Sequence, residues 1–414
     1  MSTNIAGCTK GRLKSEILFF VPEWPALDSP ILHAQVLSVA AFLNREGYSC
    51  RFAGAETSPS RAQEAVASID KEYGVRAYVD CVLSSSAGAH QLWWSCSQVY
   101  RSMCSELYGT RVTHVYARSF IGARWARKLA QKLGALSIFD VRAMVGQEQQ
   151  FERGASVEAS VCTYLELRES RLADRLSTVS ENLRKHLSLK TGREDITVIP
   201  SCFNERSFHF DAVAREDFRQ ALGVRSDDTL LCYSGGTSAW QRIEDIVSVL
   251  KGVCSRNDRY KALFLTTNPD EVTRRLLEVK FPEGQSFVKK CAHMEVHRFL
   301  SAADIGIIMR HDISVNNVAS PVKVGEYLAC GLPVILTRGI GDYSEMLPTA
   351  GVGLLLDETK DKVNQVLSFV GQYDRVGQRD AAIRFAKSQL TMSANLHHYR
   401  SLYAERSVSR FSRC

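Results

Sequence analysis

Arg310, Lys323 and Glu326 stand in a stretch whose punctuation fixes what surrounds them. The run Ser301-Ala-Ala-Asp-Ile-Gly-Ile-Ile-Met-Arg310 carries an apolar, strand-length segment at 305–309, and a polar loop follows through Ser320. Pro321 stands where a helix can begin, Gly331 ends that helix, and Pro333 opens the next apolar run. Ligands of open α/β sheets bind beyond the carboxyl ends of the strands, at the N-termini of the following helices, where unpaired N–H groups favour an anion. Arg310 falls at such a strand end and Lys323 in the first turn of such a helix. A lysine there opposes the helix dipole, so a bound negative group explains it better than helix stability does. Glu326 shares a helical face with Lys323, and its two acceptor oxygens suit a vicinal diol such as a ribose. The spacing alone equally allows a surface Lys–Glu pair contributing a few tenths of a kcal/mol.

The elements that must position these groups alternate β-branched runs with amphipathic stretches, the pattern of parallel sheets covered on both faces by helices. Strands are predicted at 16–21, 49–53, 77–83, 113–117, 136–141, 176–179 and 197–199, with helices at 32–45, 92–107 and 122–133. The rhythm restarts with strands at 229–233, 262–266, 286–289, 305–309, 334–336 and 352–355, and helices at 242–253, 270–278, 295–302 and 322–330. Helical patterns at 362–373, 379–388 and 396–405 close the chain. The polar segment 200–207 reads as a connector. The expected fold class is therefore α/β with two doubly wound domains, 1–201 and 202–389, and a C-terminal helix at about 390–414 free to pack back on the first.

The 414 residues are 45% hydrophobic and 23% charged, the balance of an ordinary globular protein. The net charge of +7 is spread along the chain, which argues against a nucleic-acid partner but is compatible with a phosphate-bearing ligand or an anionic membrane surface. No apolar run reaches the length of a membrane span. Ile5-Ala-Gly-Cys8 matches a lipoprotein cleavage box but lacks an apolar signal core before it, so Cys8 reads as part of a loose leader. The twelve cysteines show no Cys-x-x-Cys pair, as expected of reduced thiols in a cytoplasmic protein.

The stretch Ser320-Pro-x-Lys-x-x-Glu-Tyr-Leu-Ala-Cys-Gly-x-Pro-Val-Ile resembles the signature of family 4 glycosyltransferases of GT-B fold, in particular those of surface or capsular polysaccharides. Ser177-Thr-Val-Ser-Glu-Asn-Leu, Val198-Ile-Pro-Ser, the segment 203–208, Leu231-Cys-Tyr-Ser-Gly-Gly and Asp140-Val-Arg142 are similar to other segments of that family. The resemblance implies two Rossmann-like domains facing a central cleft, the first for the acceptor and the second for the donor. It implies that Glu326 binds the donor ribose and that Arg310 and Lys323 neutralise the diphosphate. Gly235, Gly236, His293, Asn317, Ser320 and Pro321 join the donor site, while Asp140 orients the acceptor hydroxyl. An Asp140–Arg142 pair that only braces its loop is an equal alternative. Glu148 follows the same strand end.

Departures from the family pattern are local. Val318 stands where many members carry a second glutamate, leaving Asp312, Asn316 or Asn317 as sugar contacts, and Arg242 is the nearest cation to a displaced lysine. The segment 22–29, with Trp24, is predicted as a loop shaping the acceptor entrance, and one of Trp93 and Trp94 is expected to be exposed.

The function implied is transfer of a hexosyl or N-acetylhexosaminyl group, with retention, from a nucleotide diphosphate to a hydroxyl of a glycan or lipid-linked acceptor, at the inner face of the cytoplasmic membrane or in the cytoplasm. The nucleotide-sugar is a substrate, and neither cofactor nor metal is expected. A nucleotide-sugar 2-epimerase of the same architecture and a catalytically silent binding subunit are the alternatives.

Overall fold

The computed structural model describes residues 15–82, 89–292 and 295–405; Cys8 and His293 lie outside the described residues. Among the described residues thirteen strands form two sheets. The first contains β1 (Glu16–Pro25), β2 (Ser49–Glu56), β3 (Arg76–Cys81), β4 (His114–Ala117), β5 (Leu136–Val141), β6 (Arg175–Thr178) and β7 (Ile196–Val198), ordered β3-β2-β1-β4-β5-β6-β7. The second contains β8 (Thr229–Ser234), β9 (Tyr260–Leu265), β10 (Ser286–Lys289), β11 (Ile305–Ile308), β12 (Val334–Leu336) and β13 (Gly353–Leu355), ordered β10-β9-β8-β11-β12-β13. The pairings β1–β2, β1–β4, β8–β9, β8–β11 and β11–β12 are all parallel. The expected α/β class with two Rossmann-like halves is observed.

The chain divides into two compact units, Met1–Asp140 with Glu169–Leu176 and Arg400–Cys414, and Val141–Arg168 with Ser177–Tyr399. In the second unit, successive strand residues serve opposite faces of the sheet. Leu230, Cys232 and Ile308 enter one apolar cluster with Val324, Tyr327 and Leu328 of the helix Val322–Ala329. Leu231, Tyr233, Ile305 and Ile307 enter another, with Ile246, Val247 and Leu250 of the helix Ile243–Cys254. Burial on both faces is why these strands read as continuous apolar runs rather than alternating ones.

Strand order reverses between β8 and β11, so the connections leaving these neighbours run to opposite faces and part at their carboxyl ends. Gly235 and Gly236 follow β8, and Arg310 follows β11. The sequence motif thus sits at the topological switch point of the second sheet.

Two local expectations are corrected. The predicted 22–29 loop starts late, because β1 runs to Pro25 and pairs it with Ala55, so Trp24 and Pro25 end a strand. The predicted continuous helix 32–45 is Pro30–Leu32, a π turn His33–Leu37, and Ser38–Arg45. At that turn the Ser38 hydroxyl donates to the His33 carbonyl (2.8 Å), and His33 Nε2 donates to the Ala26 and Leu27 carbonyls (3.0 Å each). Tying the ring to the strand end holds the extra residue in place. Helices Pro59–Tyr73, Val145–Arg153, Val157–Leu172, Glu181–Thr191 and Ala212–Leu222 were not among the predicted elements. Several carry plain end signals, such as Ser58, Ser180 and Asp211 at the N-cap and Gly74, Gly192 and Gly223 beyond the last turn. Among the described residues no helix is long and apolar enough to cross a membrane.

Candidate functional site

The helix Val322–Ala329 begins at Pro321, and no side chain caps its first turn. Its position is fixed from beneath by Tyr327. The Tyr327 ring lies flat against Gly306 of β11, where a methyl would come within 2.8 Å of the ring. The Tyr327 hydroxyl accepts from the Ser234 amide (2.6 Å). One tyrosine therefore sets the helix against both strands of the switch point, and with it Lys323, one turn earlier, and the adjacent Glu326.

Lys323 projects across to the loop after β8. A methyl on Gly235 would stand 2.5 Å from the Lys323 Nζ and 2.6 Å from the Tyr233 hydroxyl, so glycine is required for this approach. Tyr233 donates in turn to the Gly236 carbonyl (2.5 Å), fixing the loop. Among the described residues, Lys323 has neither a hydrogen-bond acceptor nor an ion-pair partner. Burial, with the repulsion of Arg310 added and the attraction of Glu326 opposing, pushes its ammonium down to about 8.

Arg310 is held by its backbone. Its amide donates to the Thr337 hydroxyl (2.9 Å), and its carbonyl accepts from Thr337 (2.9 Å) and from Arg242 Nη1 (3.2 Å). Its side chain is not so held: Nε is buried with no partner among the described residues, and burial pushes the guanidinium's pKa below the usual arginine value. Arg242 is occupied by Asp245 (2.5 Å) and Glu358 (2.7 Å), so this cation braces the backbone of Arg310. Two mutually repelling cations, neither in an ion pair with a described residue, thus stand together at the switch point.

Glu326 is 8% exposed, which excludes the surface-pair alternative for it and Lys323. The loop between Arg310 and Pro321 is braced at nearly every residue. Asn316 Nδ2 donates to the His311 carbonyl (2.9 Å), and Asn317 Nδ2 donates to Asp312 (2.8 Å). The Asn317 carbonyl accepts from Asn182 (3.0 Å) and the Val318 carbonyl from the Ser180 hydroxyl (2.6 Å). Ser320 Oγ accepts from the Ser201 amide (3.1 Å) and contacts the Tyr343 hydroxyl (3.1 Å). The Val318 side chain is buried. Gly341, with φ of 55°, packs directly on the Ala319 carbonyl, and any side chain there would collide with it.

The structure thus brings Arg310, Lys323, Glu326, Gly235, Gly236 and Pro321 together, while the side chains of Asn317 and Ser320 hold the loop. Asp140 belongs to the other unit: it is the penultimate residue of β5, is buried, and accepts from the Tyr116 hydroxyl (2.6 Å). Tyr233 and Tyr327 were not singled out from sequence, where an aromatic in a strand or helix reads simply as core. Trp94 is exposed, whereas Trp93 packs on Trp125.

Residues 214–380 match the family described as "Glycosyl transferases group 1". No curated protein matches the chain in sequence at a significant level. Among solved structures, the fold is similar to sucrose-phosphate synthase from Thermosynechococcus elongatus (13% identity, 94% of this chain and 98% of that one, TM-score 0.71). It is also similar to Anabaena HepE in complex with UDP (12%, 94% and 99%, 0.69) and to WaaG, a glycosyltransferase involved in lipopolysaccharide biosynthesis (12%, 94% and 99%, 0.63). The fold is GT-B, and the matching segment contains the switch-point cations. Fold and family match together support a glycosyltransferase.

Proposed function

We propose that this protein is a retaining, family 4 glycosyltransferase that moves a hexosyl or N-acetylhexosaminyl group from a nucleotide-diphosphate donor to a hydroxyl of a glycan or lipid-linked acceptor, in the synthesis of a surface polysaccharide. The observation that carries this reading is the pair Arg310 and Lys323, both cationic and neither in an ion pair with a described residue, at a helix N-terminus in the segment matching the family. Structural neighbours crystallised with UDP and with UDP-glucose support a nucleotide-sugar donor.

Charge grows on the diphosphate as the glycosidic bond breaks. Preorganised cations in a poorly hydrated site stabilise that charge without reorganisation, and they do so without a metal or cofactor. Glu326 accepts from the ribose hydroxyls, with Gly235 and Gly236 allowing close approach of the phosphates. In this reading the departing phosphate oxygen takes the acceptor's proton, and Asp140 orients the acceptor hydroxyl. Attachment to an anionic membrane at its cytoplasmic face completes it, with no nucleic-acid partner.

The test is a panel of UDP-, GDP-, ADP- and CDP-sugars, scored for binding and for transfer. Binding of one donor, with acceptor-dependent release of the diphosphate, is expected. Isomerised nucleotide-sugar formed without acceptor would replace transfer by epimerisation. Lys323 gives the binding a pH signature. A bound diphosphate favours the ammonium, so affinity is full below about pH 8 and falls by up to about tenfold per unit above it. Lys323→Met is expected to bind more weakly and to flatten that slope; an unchanged slope would assign the titration elsewhere. Gly235→Ala displaces the ammonium and the Tyr233 hydroxyl, with turnover falling roughly 10²-fold at little change in unfolding temperature. Parental turnover would show that Lys323 moves aside freely.

A further inference from the structure

The helix Val145–Arg153 lies in the same compact unit as the switch-point cations. One side of it is pressed on the helix Val157–Leu172. At Gly146 a side chain would collide with the Thr163 hydroxyl and the Ala159 carbonyl, and the Val145 amide donates to Glu166 (3.5 Å). Gln147 accepts from the Ser314 hydroxyl (3.0 Å), which ties the helix to the loop that follows Arg310. Glu148 lies two residues, about 200° of helical turn, from Gly146, and so leaves the helix on a different side from that contact.

The Glu148 amide donates to the Met144 carbonyl (2.9 Å), but among the described residues its carboxylate makes no hydrogen bond, and it stands within the field of Arg310, whose Nε is buried and has no partner among them. Burial and the neighbouring Glu152 raise its pKa, while the Arg310 guanidinium lowers it; Glu166, on the supporting helix, is pushed up to about 8 by burial, with Glu148 adding to the rise. A carboxylate beside an anion site, but bonded to neither cation, repels phosphate and accepts well from hydroxyls.

Resting on the donor reading above, we propose that Glu148 binds a hydroxyl of the transferred sugar and selects the sugar-bearing donor over the bare nucleoside diphosphate. A glycosylated terminal phosphate carries one negative charge, whereas a free one carries nearly two at neutral pH. Glu148 therefore works against the spent nucleotide and for the loaded one, which promotes product release. Among the residues that line the site, it is the acid placed to read what the phosphate carries, as Glu326 is placed to read the ribose.

The experiment titrates the parent, Glu148→Gln and Glu148→Ala with UDP, GDP, ADP and CDP and with their glucose and mannose conjugates. For the nucleotide the parent binds, both variants are expected to bind the bare diphosphate several-fold more tightly and its sugar conjugate several-fold more weakly. The preference for the conjugate then falls about tenfold or more. Matching unfolding temperatures and far-ultraviolet spectra show that the variants are folded, and the isosteric glutamine keeps the helix contacts. Equal changes for both ligands, or no change for either, overturn the assignment of Glu148 while leaving the donor site standing. A parent that binds none of the diphosphates overturns both.

Discussion

Arg310→Ala is expected to lower turnover by about 10²–10³-fold, or about 3–4 kcal/mol of transition-state stabilisation, and at the same time to raise the unfolding temperature. The two effects share one cause. The Arg310 guanidinium is buried beside Lys323 with its Nε unpartnered, so it costs stability in the absence of an anion. The backbone contacts that hold the end of β11, from Thr337 and Arg242 to the Arg310 amide and carbonyl, survive the substitution. Removing the side chain therefore relieves desolvation and repulsion without cutting a structural bond, a gain of about 1 kcal/mol. Nucleoside affinity should hardly change, while diphosphate affinity falls. Thermal unfolding with and without a nucleoside diphosphate checks this, because the ligand should stabilise the parent more than the variant. A variant that unfolds at lower temperature than the parent would make Arg310 a structural residue and remove it from the site.

The second large effect is on stability and lies one strand-length away. Asp304, just before β11, is fully buried and receives three arginines: Arg215 (2.6 Å), Arg219 (3.2 Å) and Arg375 (3.3 Å). Its Oδ2 also accepts from the Leu230 amide (2.8 Å) at β8, and its carbonyl accepts from the Tyr373 hydroxyl (2.8 Å). Arg215 and Arg219 spend their remaining donors on the carbonyls of Ser301, Ala302, Ala303, Arg225 and Asp228. Asp304→Ala leaves three guanidinium groups around an empty centre and strands the Leu230 amide. Breaking one partner of such a buried network costs about 3–5 kcal/mol. For a unit of this size that is a fall of roughly 10 °C in the unfolding midpoint of the second unit. Asp304→Asn should fall by less, because an amide oxygen still accepts from the Leu230 amide. Calorimetry that finds the alanine variant within a degree or two of the parent would show that the arginines are satisfied by carbonyls alone.

The passage that proved informative for chemistry, from Ser301 to Ile335, contains Asp304, yet nothing in the sequence distinguishes this acid as the centre of a network. Its three partners lie some 71 to 89 positions away along the chain. Which arginines converge is decided when the helices Ala212–Leu222 and Arg375–Gln389 dock on the end of the second sheet. The same holds for Asp342, whose carboxylate accepts from the Glu181 and Asn182 amides (2.6 and 3.1 Å) at the start of the helix Glu181–Thr191. That helix could not be read from its weak apolar periodicity, although Ser180 and Gly192 mark its ends.

What the sequence determined by itself was the placement of the strands, because a central strand buried on both faces, such as β8 or β11, must be a short apolar run bounded by polar or glycine-rich breaks, and that requirement is local. It also determined the strand, loop and helix that carry Arg310, Lys323 and Glu326, since proline and glycine fix helix ends through backbone geometry alone. Tertiary structure decided which side chains those elements bring together. Gly235 admits the Lys323 ammonium, Tyr327 spans two strands, Ser320 and Asn317 turn to brace the loop, and Glu148 comes to Arg310 from 162 residues earlier. Such meetings depend on the packing of whole elements, whose relative positions are set by summed burial over many residues and leave no mark at any one of them.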